Sequence, residues 1–200
     1  GAAGALFDFD KLNNVAKNRV GHMSEEQIFA SVSAWAGRYD AKLNNFIEHN
    51  ADIFRKSITV WHERRLDVAK WSDLMELYPY MYDPAFTVDA ALPDAFLPHK
   101  ERIPEILGDY LETFDYDDDS NEWFNKVKEV AVRHNYCVKM GAYKKRPEDY
   151  NGSIADLSSF IRYALTGTTN TPDLHGIIHV IGKDAAVSRV EAFRSKLANR

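Results

Sequence analysis

The chain has a single cysteine, Cys137, so no disulfide can form within it and stability must come from a packed core. Cys137 sits in NYCVKM at the end of a helical run, which marks it as a small buried hydrophobe rather than a nucleophile. No apolar run approaches the roughly 20 residues that a membrane-spanning helix requires. The opening GAAGALFDFD also lacks the basic start and long apolar stretch of a signal peptide. A cytoplasmic protein with no membrane partner is therefore expected. Glycine and proline are sparse, 10 and 7 in 200 residues, which excludes a fibrous or disordered chain. Sustained two-residue alternation of apolar and polar residues is missing too, and this leaves an all-α fold. An excess of positive charge is absent: the formal net charge is −5, which on its face argues against a nucleic-acid partner, and no DNA partner is expected.

What is present is uneven charge and helical periodicity. Acidic residues gather in DYDDDSNE, Asp115 to Glu122, whereas basic ones gather in FRKSITVWHERR and AYKKR. Two basic patches on an acidic chain are compatible with a polyanion held at one face. Ser24 opens the capping box SEEQ, and Ile28, Val32 and Trp35 then fall on one helical face. AKLNNFIEHN and ADIFRKSITVW follow as short amphipathic helices, with Leu43, Phe46 and Ile47 on one stripe and Ile53, Phe54, Ile58 and Trp61 on the other. Leu74, Leu77, Tyr78 and Met81 form a further apolar face that Pro79 should end or kink. TVDAALPDAFLP has two prolines and no sustained period, so it is the expected subdomain boundary. The acidic run reads as a solvated turn that caps EWFNKVKEVAVRHN, where Trp123, Val127, Val130 and Ala131 share a face. The four tryptophans, at positions 35, 61, 71 and 123, are expected in the core. Tyr143 and Tyr150, beside a basic patch, are candidate stacking surfaces.

The most specified stretch is IRYALTGTTNTPDLHGIIHVIGKD, from Ile161 to Asp184. Ser153 and Asp156 predict the start of the preceding helix, and Gly167 its end. Thr171 as N-cap with Pro172 at the first helical position predicts the next helix, which should stop at Gly182. His175 and His179 have the four-residue spacing of a zinc pair, yet the glutamate of the metalloprotease pattern is replaced by Gly176. No metal site is expected, and no catalytic residue is assigned. Walker, G-x-G-x-x-G and G-x-S-x-G patterns are all absent from the sequence.

GALFDFDKLNNVAKN, RRLDVAKWSDL and IRYALTGTTNTPDLHGIIHVIGKDAAVSRVEAF together resemble successive segments of the C-terminal half of bacterial glutamyl-tRNA synthetase. The order and approximate spacing match over essentially the whole chain. The last segment carries the R-x-A-L-T-G, T/S-P-x-L and L/I-G-K patterns of that family at Arg162–Gly167, Thr171–Leu174 and Ile181–Lys183. The resemblance implies residues 1–35 as the end of a stem-contact region, 36–90 as a first helical anticodon-binding subdomain and 91–200 as a second. It implies tRNA-Glu as partner, with tRNA-Gln left open, and a monomer. Arg162, Thr171, Pro172 and Leu174 would line an anticodon-base pocket, and Arg65, with Arg64 as the alternative, would read the last anticodon base. Neither the HIGH nor the KMSKS signature occurs, and CVKMGAYKK shares only scattered letters with the latter. By this resemblance the catalytic half that uses ATP, magnesium and glutamate is absent from these residues, and they need no cofactor of their own. The rival expectation, of a different class, is a helical scaffold that binds a protein and no RNA.

Overall fold

The computed structural model describes residues 8–62, 67–89 and 91–198. The chain separates into two compact units, Gly1–Ala85 and Phe86–Arg200. That division falls just before the proline-containing segment at which the sequence predicts a boundary. Both units are helical, and no described helix is long and apolar enough to cross a membrane.

The first unit contains α1 (Phe9–Gly21), α2 (Glu25–Tyr39), α3 (Ala41–His49), α4 (Ala51–His62), α5 (Asp73–Leu77) and α6 (Pro79–Tyr82). Ser24 and Gln27 form the expected reciprocal capping box, with Gln27 N–H donating to Ser24 Oγ at 3.3 Å and Ser24 N–H to Gln27 Oε1 at 2.9 Å. Asp40 ends α2 and caps α3, its carboxylate accepting from Leu43 N–H at 3.0 Å. Helix α2 runs unbroken through residues 35 and 36 and packs on α3 and α4. Ile28, Val32, Leu43, Phe54, Ile58 and Trp61 fill the core, whereas Ile53 and Leu77, placed on apolar stripes by periodicity, lie exposed. A short amphipathic helix has a stripe about 100° wide, and these two residues fall at its margin. Trp35 and Trp71 are half-buried, unlike Trp61. The core is pinned by polar groups: Trp61 Nε1 donates to the Tyr82 hydroxyl at 2.9 Å, and Ser57 Oγ lies 2.7 Å from the same oxygen. Burial pushes the Tyr82 phenol well above its ordinary range.

The second unit contains a 3₁₀ turn (Asp94–His99), α7 (Ile103–Thr113), α8 (Ser120–Arg133), β1 (Tyr136–Cys137), α9 (Met140–Tyr143), a 3₁₀ turn (Pro147–Asp149), β2 (Gly152–Ser153), α10 (Ile154–Thr166), α11 (Leu174–Ile181) and α12 (Lys183–Ala198). Helices α7, α10 and α12 pack on one another, α8 covers α7 and α10, and α11 lies on α12. Ile106, Leu107, Val127, Val130, Leu157, Phe160, Ile161 and Leu165 form the centre of this core. Asp119 caps α8 in a capping box with Glu122, so the acidic run serves as a helix start, as expected. The β1–β2 pair is a two-residue parallel contact, Tyr136 with Gly152 and Cys137 with Ser153, that periodicity cannot reveal. Cys137 is buried.

Gly152 is required by the approach of Tyr136: a Cβ there would stand 2.6 Å from Tyr136 Cε1 and 3.0 Å from His99 Cε1. Tyr136 is also fixed at its hydroxyl, 2.8 Å from His99 Nδ1. Gly152→Ala should therefore lower the unfolding free energy of this unit by about 1–3 kcal/mol, measured by urea denaturation. Burial holds the His99 imidazole below its ordinary range, opposed by the nearby Asp156 carboxylate and aided by Arg102. The unfolded chain then binds more protons than the folded one as pH falls below about 6.5, so stability is highest above that value and declines beneath it. The urea midpoint should drop between about pH 7 and pH 5.5, and His99→Gln should reduce that dependence.

Candidate nucleic-acid interface

Helix α10 carries the site. Ser153 caps it, with Asp156 N–H donating back to Ser153 Oγ and Ser153 N–H to Asp156 Oδ2 at 2.7 Å. It ends at Gly167, whose φ of +68° places it in the left-handed region that favours glycine. Thr166 Oγ lies 2.8 Å from Arg162 O and 3.1 Å from Thr168 O, which fastens the first residues of the loop to the last turn of the helix.

The loop then closes onto Arg162. Its Nη1 donates to the Thr171 hydroxyl and, at 3.0 Å, to the Pro172 carbonyl, while the Thr171 hydroxyl donates to the same carbonyl at 2.9 Å. Thr171 and Pro172 are buried by this arrangement. Helix α11 starts later than expected: its first residue is Leu174, and its N-cap is Asp173, which accepts from Gly176 N–H at 2.7 Å. Thr171 is thus not the cap and Pro172 is not the first helical residue. Aspartate is at least as good an N-cap as threonine, and Arg162 already occupies the Thr171 hydroxyl.

Arg162, Asp173 and Leu174 line a cleft of about 220 Å³ together with Ser120, Asn121, Trp123, Phe124 and Ser158. The volume is below the roughly 300–1,000 Å³ of drug-sized sites and suits one flat ring. Trp123 is a core residue, with Nε1 donating to the Tyr110 hydroxyl at 3.1 Å. Its neighbour Phe124 stands 36% exposed, with the Lys128 ammonium 4.7 Å from the ring centre. The cleft therefore combines a forked cation, a carboxylate, side-chain amide and hydroxyl groups, and an aromatic face.

Of the residues selected from sequence, Arg162 and Leu174 line this cleft, and Thr171 and Pro172 lie behind it as the support for Arg162. Arg64 and Arg65 lie outside the described residues. Sequence reasoning passed over Phe124, Asn121, Ser158 and Asp173. Phe124 could have been found as the aromatic on the polar side of α8, next to a residue that the periodicity buries. His175 and His179 approach with Nε2 atoms 3.2 Å apart, and His175 Nε2 also lies 3.0 Å from Asp118 O. Among the described residues no group of three or more His, Cys, Asp or Glu side chains is placed to hold a metal ion.

This predominantly helical unit thus presents a small cleft with an arginine and an aromatic among its lining residues. The chain belongs to the anticodon binding domain family, whose model matches residues 41–194. Its similarity to curated proteins is with glutamate–tRNA ligases. That of Acetivibrio thermocellus is 34% identical over 192 residues, covering 94% of this chain and 35% of the relative. That of Clostridium beijerinckii is 32% identical over 201 residues, with 96% and 36% covered, and that of Sorangium cellulosum is 30% identical over 194 residues, with 95% and 34% covered. The chain thus spans about a third of the length of these relatives.

Thr171→Val keeps the shape of the side chain but removes the hydroxyl that links Arg162 to the loop. The lost bonds and the poorly satisfied polar groups left behind should cost about 1–3 kcal/mol, read as a lower urea midpoint.

Proposed function

We propose that this chain binds the anticodon arm of tRNA-Glu as the recognition part of a glutamate–tRNA ligase. The observation that carries the reading is the cleft in which Arg162 and Asp173 meet the exposed Phe124 ring. A guanidinium offers a planar fork of donors, and the Asp173 carboxylate is an acceptor held in place by its capping bond. Such a pair suits a base edge that sets acceptors beside an amino group, as on cytosine. Phe124 supplies the stacking face, a contact worth about 1–3 kcal/mol per base. Thr171 and Pro172 orient Arg162 from behind, and Leu174 closes the apolar side of the cleft. Arg65, or Arg64 beside it, reads the last anticodon base in this proposal. That assignment rests on the resemblance of ERRLD to the matching segment of the family.

The whole enzyme would use ATP, magnesium and glutamate to charge the tRNA, a chemistry for which these residues have neither the HIGH nor the KMSKS sequence. In this reading the protein is cytoplasmic and monomeric, and its work in this region is recognition.

The test is titration of the chain with tRNA-Glu and with an anticodon-substituted transcript. Native tRNA-Glu should bind more tightly, and binding should weaken as salt rises through release of counterions. Arg162→Lys should lose about 1–3 kcal/mol of the preference between the two transcripts, since a point charge cannot replace the fork. Phe124→Ala should weaken binding by a similar about 1–3 kcal/mol. Thr171→Val is the control for loop loosening, because it keeps the guanidinium. Equal affinity of the unmodified chain for both transcripts overturns the proposal, and salt-independent, weak RNA binding favours a protein-binding scaffold instead.

A further inference from the structure

The segment from Lys139 to Asp149 carries four cations, Lys139, Lys144, Lys145 and Arg146, against two carboxylates, Glu148 and Asp149, in a chain whose net charge is −5. All four cations are exposed. Arg146 lies 3.8 Å from Asp149. Lys139, Lys144 and Lys145 have no ion-pair partner among the described residues, in contrast to Lys126, which lies 2.6 Å from Asp118, and Arg133, 3.0 Å from Asp109. Concentrated positive charge without internal neutralisation is what a phosphate backbone attracts.

The segment is also held in shape. Its ends are joined by the β1–β2 pairing, by Asn151 Nδ2 donating to His134 O at 2.9 Å and by Asn135 Nδ2 donating to Asp149 O at 3.1 Å. Inside, Lys144 N–H donates to Met140 O at 3.0 Å and Arg146 N–H to Ala142 O at 3.1 Å, so the lysines project from a wound turn. The Tyr143 and Tyr150 rings meet across it, 6.3 Å apart. A rigid display costs less ordering on binding than a floppy one.

Helix α8 connects this turn to the base cleft. Asn121, Phe124, Lys128 and Val132, spaced by three, four and four residues, share one stripe of the helix. Asn121 and Phe124 line the cleft at one end, and Val132 at the other end lines a depression together with Lys139, Ala142 and Tyr150. The separation along the stripe is about 16 Å. Lys128 stands midway, and the acidic residues Glu122 and Glu129 of α8 fall roughly 100° to one side. A ligand that touches both ends must be extended over at least about 16 Å, as a polynucleotide backbone is.

We infer that Lys139, Lys144 and Lys145 form a sequence-independent contact with the tRNA phosphate backbone, continued along the Asn121–Val132 stripe from the base cleft. The inference rests on the anticodon-arm reading above. It divides the labour: the cleft selects a base, and the turn supplies affinity without regard to sequence.

The test is a salt series of binding between the 200-residue chain and a tRNA-Glu transcript, followed by fluorescence anisotropy. The parent is compared with the triple variant Lys139→Gln, Lys144→Gln, Lys145→Gln and with the corresponding triple arginine variant. Each phosphate contact contributes about 0.7–0.9 to the slope of log affinity against log salt, so the glutamine variant should lose about two to three from that slope. Its deficit relative to the parent should shrink roughly 20- to 40-fold as salt rises from about 50 to 200 mM. Its preference for the native anticodon should be unchanged, and the arginine variant should restore the slope. A glutamine variant with the parent's slope overturns the inference, whether or not the anticodon preference holds. If the parent shows no anticodon preference while the slope still falls in the variant, the anticodon reading fails and the backbone contact stands.

Discussion

The hydrogen bonds from the Arg162 guanidinium to the Thr171 hydroxyl and the Pro172 carbonyl decide how the second unit is assembled around its cleft. The loop from Gly167 to Asp173 turns back against the helix that it has just left. Its buried threonine and proline contribute polar atoms that need partners where water is scarce. Arg162 supplies them, and in doing so it fixes where α11 can begin. Asp173 then caps α11 at the rim of the cleft, and Leu174 turns inward as its first residue. The same guanidinium thus holds the loop and forms part of the surface that the loop presents. Loop anchoring and cleft lining share one side chain.

A second coupling of this kind runs through α8. Trp123 is committed to the core by its bond to the Tyr110 hydroxyl, whose own acidity burial suppresses. Consecutive helical residues point about 100° apart, so once Trp123 is buried Phe124 is directed outward. The exposed ring is a geometric consequence of the buried one, and its position inherits the precision of the core. Tyr82 has the corresponding structural part in the first unit, collecting Trp61 and Ser57 around one hydroxyl.

Much of this architecture is legible in the sequence because it depends on local rules. The capping boxes at Ser24, Asp119 and Ser153, the left-handed Gly167 and the stripes of α8 and α10 all follow from residue type and spacing. The start of α11 is not legible locally, because Thr171 and Asp173, two residues apart, are both residue types that cap helices. The choice between them is made by a residue nine positions upstream. The β1–β2 contact was out of reach for a related reason: a two-residue pairing between segments 16 apart leaves no periodic trace. At the cleft, Arg162 and Leu174 were visible as part of a conspicuous motif. Phe124, Asn121 and Ser158 belong to other elements, and only folding brings them to the same rim. Ile53 and Leu77 show the opposite error, apolar residues in register with a stripe but beyond the edge of what their neighbours cover.

The contact of Tyr136 with Gly152 closes the segment between them at its base. With a ring seated directly on a backbone that has no side chain, the two strands act as a clasp, and α9, which lies between them in sequence, packs on both. Extending a loop whose ends are already held costs little, about 0.6 kcal/mol for each doubling of its length. The exposed part of the turn between α9 and β2 can therefore lengthen at little cost while its ends stay held.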